Sequence, residues 1–249
     1  MKIPVRTLGA AWLGLCLSMA VAHASVLITG TRVVFPAQDG EVTVRLTNDA
    51  DRPALVESWV DAGDAQSTPD RADTPFLVTP PLFRMEAHRD QSLRILFTPG
   101  HQALPADRES LFWLNVLEVP PKPSTANAGA NYLQLAIRSR LKLFYRPAGL
   151  TADPQKAPDT LTFELARDGA GYAVTVHNPS PYHITLTRLR LHADGTSYAG
   201  QSGMVAPLSD LRVALPGLTM PPPAGSVVEF VCINDYGAAV TFQKPLAPR

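Results

Sequence analysis

An all-β fold, two antiparallel sandwiches in series, is predicted by three observations. Apolar residues alternate in short runs along the chain, turn-rich pieces separate those runs, and no long window combines helical period with caps. The runs recur at roughly 8–12-residue spacing, the sequence sign of Ig-like sandwiches. Neither half has the Cys–Trp–Cys spacing of an antibody domain. Across 249 residues, 24 prolines and 16 glycines supply turns without reaching a disordered composition.

The chain starts with a segment outside the fold. Lys2 and Arg6 precede the apolar run TLGAAWLGLCLSMAVA, and Ala22–Ala24 offers small residues at the cleavage positions. Residues 1–24 therefore read as a secretory signal peptide. Leu15 before Cys16 argues against a lipid anchor, and no later run is long and apolar enough to span a membrane. Losing Lys2 and Arg6 leaves 20 basic against 22 acidic side chains, a balance that argues against nucleic-acid binding by bulk charge. Cys16 leaves with the signal, so Cys232 has no internal partner; between Val231 and Ile233 it reads as a buried strand thiol.

The strands follow in order. EVTVRLTN sets Val42, Val44 and Leu46 on one parity, and QSLRILF does the same with Leu93, Ile95 and Phe97. SLFWLNVLEV is almost continuously apolar, as expected of a central strand covered on both faces. YLQLAIRSRLKLFY, Tyr132 to Tyr145, alternates again. The polar piece AGLTADPQKAPDT then reads as a connector, dividing the chain into domains 25–147 and 148–249. Alternation resumes in LTFELAR, YAVTVHN, HITLTRLRLH, SVVEFVCIND and AAVTFQ.

Catalytic signatures are missing. The chain has no GxSxG, Walker loop, HExxH or CxxC, so no enzyme and no cofactor is expected. His88, His101, His177, His183 and His192 are scattered and predict no metal site; exposed or locally bonded imidazoles are expected. Asp107 and Glu109 are close enough for an acid–base pair, but nothing around them marks a pocket.

Six segments resemble, in their order along the chain, those of the periplasmic pilus chaperones of the chaperone–usher systems, the PapD-like family. LPADRESLFWLNVLEVPP (104–121) is similar to the family signature, GTRVVF (30–35) to its first strand, and VTPPLFRMEA (78–87) to its Pro-Pro segment. LQLAIRSRLKLFYRP (133–147) resembles the last strand of its first domain, and HNPSPYHITLT with INDYGA resemble its second-domain markers. The resemblance covers nearly all of the chain after the signal. It implies two Ig-like domains in a boomerang-like arrangement with an interdomain cleft, and a cis peptide at Thr79–Pro80. The connector PPKPSTANAGA, with no cysteine pair near it, resembles the short-loop branch.

The family mechanism implies roles residue by residue. An edge strand completes a pilus subunit that lacks its own last strand; the matching residues are Leu133, Leu135 and Ile137, whose alternation suits a row of pockets. Arg32 and Lys142 match the pair that binds the subunit's C-terminal carboxylate. Glu109, Arg146 and Asp235 match an interdomain salt bridge. Arg138 and Arg140 receive no role and are expected as exposed charge on the polar face, which discourages edge pairing. The implied partners are pilus or fimbrial subunits and an outer-membrane usher, in the periplasm, with no nucleic acid and no membrane insertion of the mature chain. A structural fimbrial subunit or adhesin is the alternative. The two-domain pattern and the missing cysteine pair count against it.

Overall fold

The computed structural model describes residues 25–100, 103–122, 134–201 and 203–247. The signal-peptide expectation for 1–24, the donor-strand expectation for Leu133 and most of the short connector lie outside those residues.

The first sandwich has two sheets. One orders β1 (Val26–Ile28), β3 (Glu41–Asn48), β7 (Asp90–Phe97) and β5 (Phe76–Thr79) as β1-β3-β7-β5. The other orders β2 (Arg32–Pro36), β9 (Ile137–Arg146), β8 (Ser110–Val119), β4 (Ala54–Asp61) and β6 (Leu82–Met85) as β2-β9-β8-β4-β6. Between these sheets, Phe35, Leu46, Val56, Leu93, Ile95, Leu114 and Leu143 are buried with the parity their strands predict. The Phe35 ring lies 5.4 Å from Phe76 and 5.8 Å from Tyr145, closing one end of this core. β8 is central, as its apolar run predicts. Thr79–Pro80 is cis, between β5 and β6.

In the second sandwich, β10 (Thr162–Asp168), β11 (Gly171–Asn178) and β15 (Ser209–Leu215) form one sheet. β13 (Thr196–Gly200), β12 (Ile184–Ala193), β16 (Val227–Ile233) and β17 (Ala239–Pro245) form the other, with β14 (Gly203–Val205) paired to β12. Phe163, Val174, Leu186, Leu189, Leu191, Val228 and Phe230 fill its core. Cys232 is buried there, and burial pushes its thiol pKa up to about 12. The connector is less open than its polarity suggests. A 3₁₀ turn at Ala157–Thr160 buries Ala157, and Leu161 follows it into the second core.

On the outer face of β11, His177 Nδ1 lies 2.7 Å from Asp210 and Nε2 lies 3.3 Å from Glu164. The hydrogen bond with Asp210, more than any other influence, raises its pKa above the ordinary imidazole value. The pair's contribution to stability is present below the unfolded pKa and is lost as pH rises through the folded one. An NMR titration is expected to place the His177 midpoint above that of a free histidine, and Asp210→Asn is expected to lower it. An unshifted wild-type midpoint contradicts this account.

Candidate functional site

The site lies where the two sandwiches meet, and two turns from the second domain build one wall. In the HNPSPYH segment, Asn178 donates to the carbonyls of Tyr182 (2.8 Å) and Ala206 (2.9 Å) and accepts the Ser180 amide (3.0 Å). That fixes Pro181 and His183 opposite the start of β8. In INDYGA, the Asn234 carboxamide accepts the amides of Tyr236 and Ala238, and Gly237 has φ +82°. A Cβ at Gly237 would sit 2.7 Å from Thr31 Oγ1 of the first domain. Gly237→Ala is therefore expected to cost about 1–3 kcal/mol in a urea melt, through left-handed strain and this close approach. A loss indistinguishable from zero would show that Thr31 gives way freely.

These turns complete an ion network across the domains. Glu109, its side chain 2% exposed, accepts Arg146 Nε (2.8 Å) and the His183 amide (2.9 Å), and its own amide donates to the Pro181 carbonyl (2.9 Å). Arg146 also grips Asp235 with both terminal nitrogens, at 2.9 and 3.2 Å, and lies over the Tyr182 ring. Burial alone would lower the Arg146 pKa; bonding to Asp235 and Glu109 raises it overall. The three residues expected to form an interdomain salt bridge are thus brought together. His183 is a fourth member: its imidazole is buried 3.3 Å from Glu109, a partner 74 positions away rather than a local one. Asp107 pairs with exposed Arg108, so it forms no acid–base pair with Glu109.

Arg32 and Lys142 occupy one level of the parallel β2–β9 ladder. Residues in register on neighbouring strands sit about 4.8 Å apart and project to the same face. Both are half-buried, and among the described residues neither forms an ion pair. Arg32 Nη1 donates to the Ile233 carbonyl (3.0 Å), its Nε has no partner, and the guanidinium lies over Phe144. Lys142 Nζ donates to Thr185 Oγ1 (3.1 Å) and lies 6.0 Å from the Trp113 ring centroid. Burial lowers the Arg32 pKa, partly offset by Asp235 and Glu109. Burial, then the Arg32 charge, lowers that of Lys142. Two desolvated cations with hydrogen-bonding capacity to spare have the chemistry that suits an anion such as a carboxylate. Lys142 also lines a groove with Trp113, Thr185, Thr187, Gly203 and Met204, open to solvent.

The expected donor strand is shorter than its alternation suggests. β9 starts at Ile137, and Gln134–Ala136 lie outside it. Beyond Val119 the neighbouring chain is Pro120–Pro121, which has no amide to extend the ladder. The Gln134 side chain instead donates to the Pro120 carbonyl. Ile137 shares the sheet face of core residues Leu141 and Leu143 and is 38% exposed; Leu135 is 59% exposed. β2 pairs only with residues 142–146 of β9, whereas β8 pairs with 137–145. Among the described residues, 137–141 thus have one edge that no strand pairs with.

The expectation that Arg138 and Arg140 are solvated charge is wrong. Both lie on the outer face of the sheet, bonded to Asp61 and Asn115 and stacked on Trp59 and Trp113. Local sequence shows only a polar parity, because their partners come from strands far along the chain.

Among the described residues no helix is long and apolar enough to cross a membrane, and no cluster of His, Cys, Asp and Glu is placed to hold a metal.

Fold and site together define a two-sandwich protein with a pair of desolvated cations where the sandwiches meet, beside a strand edge that no described residue covers. Residues 25–151 match the pili and flagellar-assembly chaperone PapD N-terminal domain, and residues 156–244 match the pili assembly chaperone PapD C-terminal domain. The chain belongs to this family of pili-assembly chaperones. It is similar to chaperone protein FimB/FhaD of Bordetella pertussis, 43% identical over 249 residues, 99% of this chain and 97% of that protein. The crystal structure of the YadV chaperone matches with TM-score 0.76 at 38% identity, over 90% of this chain and 100% of that one. A structure of Salmonella enterica SafA pilin in complex with the SafB chaperone matches with TM-score 0.73 at 31% identity, over 91% of this chain and 99% of that one.

Proposed function

We propose that this chain is a periplasmic, non-enzymatic chaperone that captures fimbrial subunits by donating the open edge of β9, then passes them to an outer-membrane usher. The observation that carries this reading is the Arg32–Lys142 pair, desolvated, without a counter-ion and level with the start of that open edge. A subunit's terminal carboxylate on the pair would set the register of the incoming strand. Backbone hydrogen bonds along 137–141 would then supply affinity, and Leu133, Leu135 and Ile137 would enter alternate pockets. Burying each such side chain is worth about 1.5–3 kcal/mol before ordering costs. Glu109, Arg146 and Asp235 hold the cleft walls at a fixed spacing. Residues 1–24 direct export, and domains 25–147 and 148–249 form the two walls. The SafA–SafB complex, in which a chaperone of this fold is bound to a pilin, supports the reading.

The test is co-expression with a fimbrial subunit from the same cell, followed by gel filtration. A one-to-one complex is expected, and Ile137→Asp is expected to abolish it while the chain stays folded. A subunit that remains soluble and separate from the chain would overturn the proposal.

A further inference from the structure

The outer face of the β2-β9-β8-β4-β6 sheet carries a polar cluster to which carboxylate binding assigns no role. At the end of β4, the Asp61 carboxylate is 2% exposed. It accepts Arg140 through Nε (3.1 Å) and Nη2 (2.5 Å), Asn115 Nδ2 (2.7 Å) and the Gly63 amide (2.7 Å). Asn115 Oδ1 in turn accepts Arg138 through Nε (2.9 Å) and Nη2 (2.6 Å), and Arg138 Nη1 reaches the Ala65 carbonyl (3.0 Å). The Arg138 guanidinium lies 4.7 Å from the Trp59 ring centroid, and that of Arg140 lies 4.3 Å from Trp113.

Both cations come from the half of β9 that β2 leaves uncovered. A strand half with a single neighbour tends to fray, because it lacks one ladder and the packing that accompanies it. Here the even-numbered side chains are tied down on the outer face across β8 and β4. The odd-numbered row, which includes Ile137, therefore projects from the opposite face. A buried carboxylate–guanidinium cluster is a poor way to gain stability compared with apolar packing, but it fixes orientation.

We propose that Asp61 is a positioning residue for the donor strand: through Arg140, Asn115 and Arg138 it holds residues 137–141 extended against β8, ready to accept a partner strand. The assignment of a donor role to this segment rests on the function proposed above; the clamp itself does not. A preformed strand removes an ordering cost from binding.

The experiment is amide hydrogen exchange on the intact chain, Asp61→Asn and Arg140→Gln, with no partner present. The amides that 137–141 donate to β8 are expected to exchange about tenfold faster or more in both variants, while those of 142–146, flanked by β2 and β8, keep their rates. Unchanged rates at 137–141 overturn the proposal. So does equal acceleration of both halves, which marks general destabilisation. Subunit capture is then compared at equal concentration. Weaker capture by both variants, with slower association, supports the positioning role, whereas undiminished capture despite faster exchange overturns it. If the intact chain captures no subunit, the function proposal falls and the exchange rates alone decide the clamp.

Discussion

Lys142→Ala is expected to reduce subunit capture about 30-fold or more while leaving the unfolding midpoint unchanged or slightly raised. The two effects separate because Lys142 has an unfavourable place in the free protein. Burial and the neighbouring Arg32 charge both disfavour its ammonium, and it gains one hydrogen bond, to Thr185, in return. Deleting it removes the repulsion along with a bond worth about 0.5–1.5 kcal/mol. In a complex the same ammonium would meet a carboxylate in a desolvated cleft, where truncating one partner costs about 2–5 kcal/mol. Arg32→Ala is expected to behave alike, since its Nε is without a partner until a ligand arrives. Binding measured by surface capture, beside a urea melt of each variant, checks both halves. Undiminished capture would remove these residues from the mechanism, and a large loss of stability would mean that they serve the fold instead.

Glu109→Ala is expected to do the opposite and damage the free protein, by about 3–5 kcal/mol. Its carboxylate is nearly inaccessible and joins β8 to the His183 turn and to Arg146. Without it, the His183 amide loses its acceptor and Arg146 keeps a cation in a half-closed cleft with Asp235 as its remaining carboxylate. Tryptophan fluorescence suits the measurement, because among the described residues the tryptophans are Trp59 and Trp113, both in the first sandwich. Capture is expected to fall as well, since Lys142 and Arg32 reach Thr185 and Ile233 across the same junction. A loss below about 1 kcal/mol would place the network among exposed ion pairs of small effect.

The sandwiches were legible because each strand faces one core, which imposes a period of two on Val42 to Leu46, Leu93 to Phe97 and Leu141 to Tyr145. The cleft residues were legible through family resemblance; spacing alone does not bring Arg32 beside Lys142 or Arg146 beside Asp235. Two features escaped. The alternation continues before Ile137, so sequence cannot show that Pro120 and Pro121 end the ladder there. Arg138 and Arg140 look solvated because Trp59 and Asp61 stand on β4, far away along the chain; only the β4–β8–β9 register unites them. Asp61 shows how charge is tolerated there. Burial would raise its pKa, but bonds from Arg140, Asn115 and Gly63 lower it overall. Its stabilising effect is therefore present above the unfolded carboxyl pKa and is lost as pH falls through the folded one.

The buried Cys232 thiol has a practical consequence for any oxidising compartment. A group whose pKa stands near 12 is almost never a thiolate at neutral pH, and its burial in the second core shields it from reagents. Its burial keeps the folded second sandwich from exchanging disulfides through Cys232. The same property makes residue 232 a built-in clock. Alkylation there proceeds only when the second sandwich opens, so its rate times that opening independently of the tryptophans, which report the first.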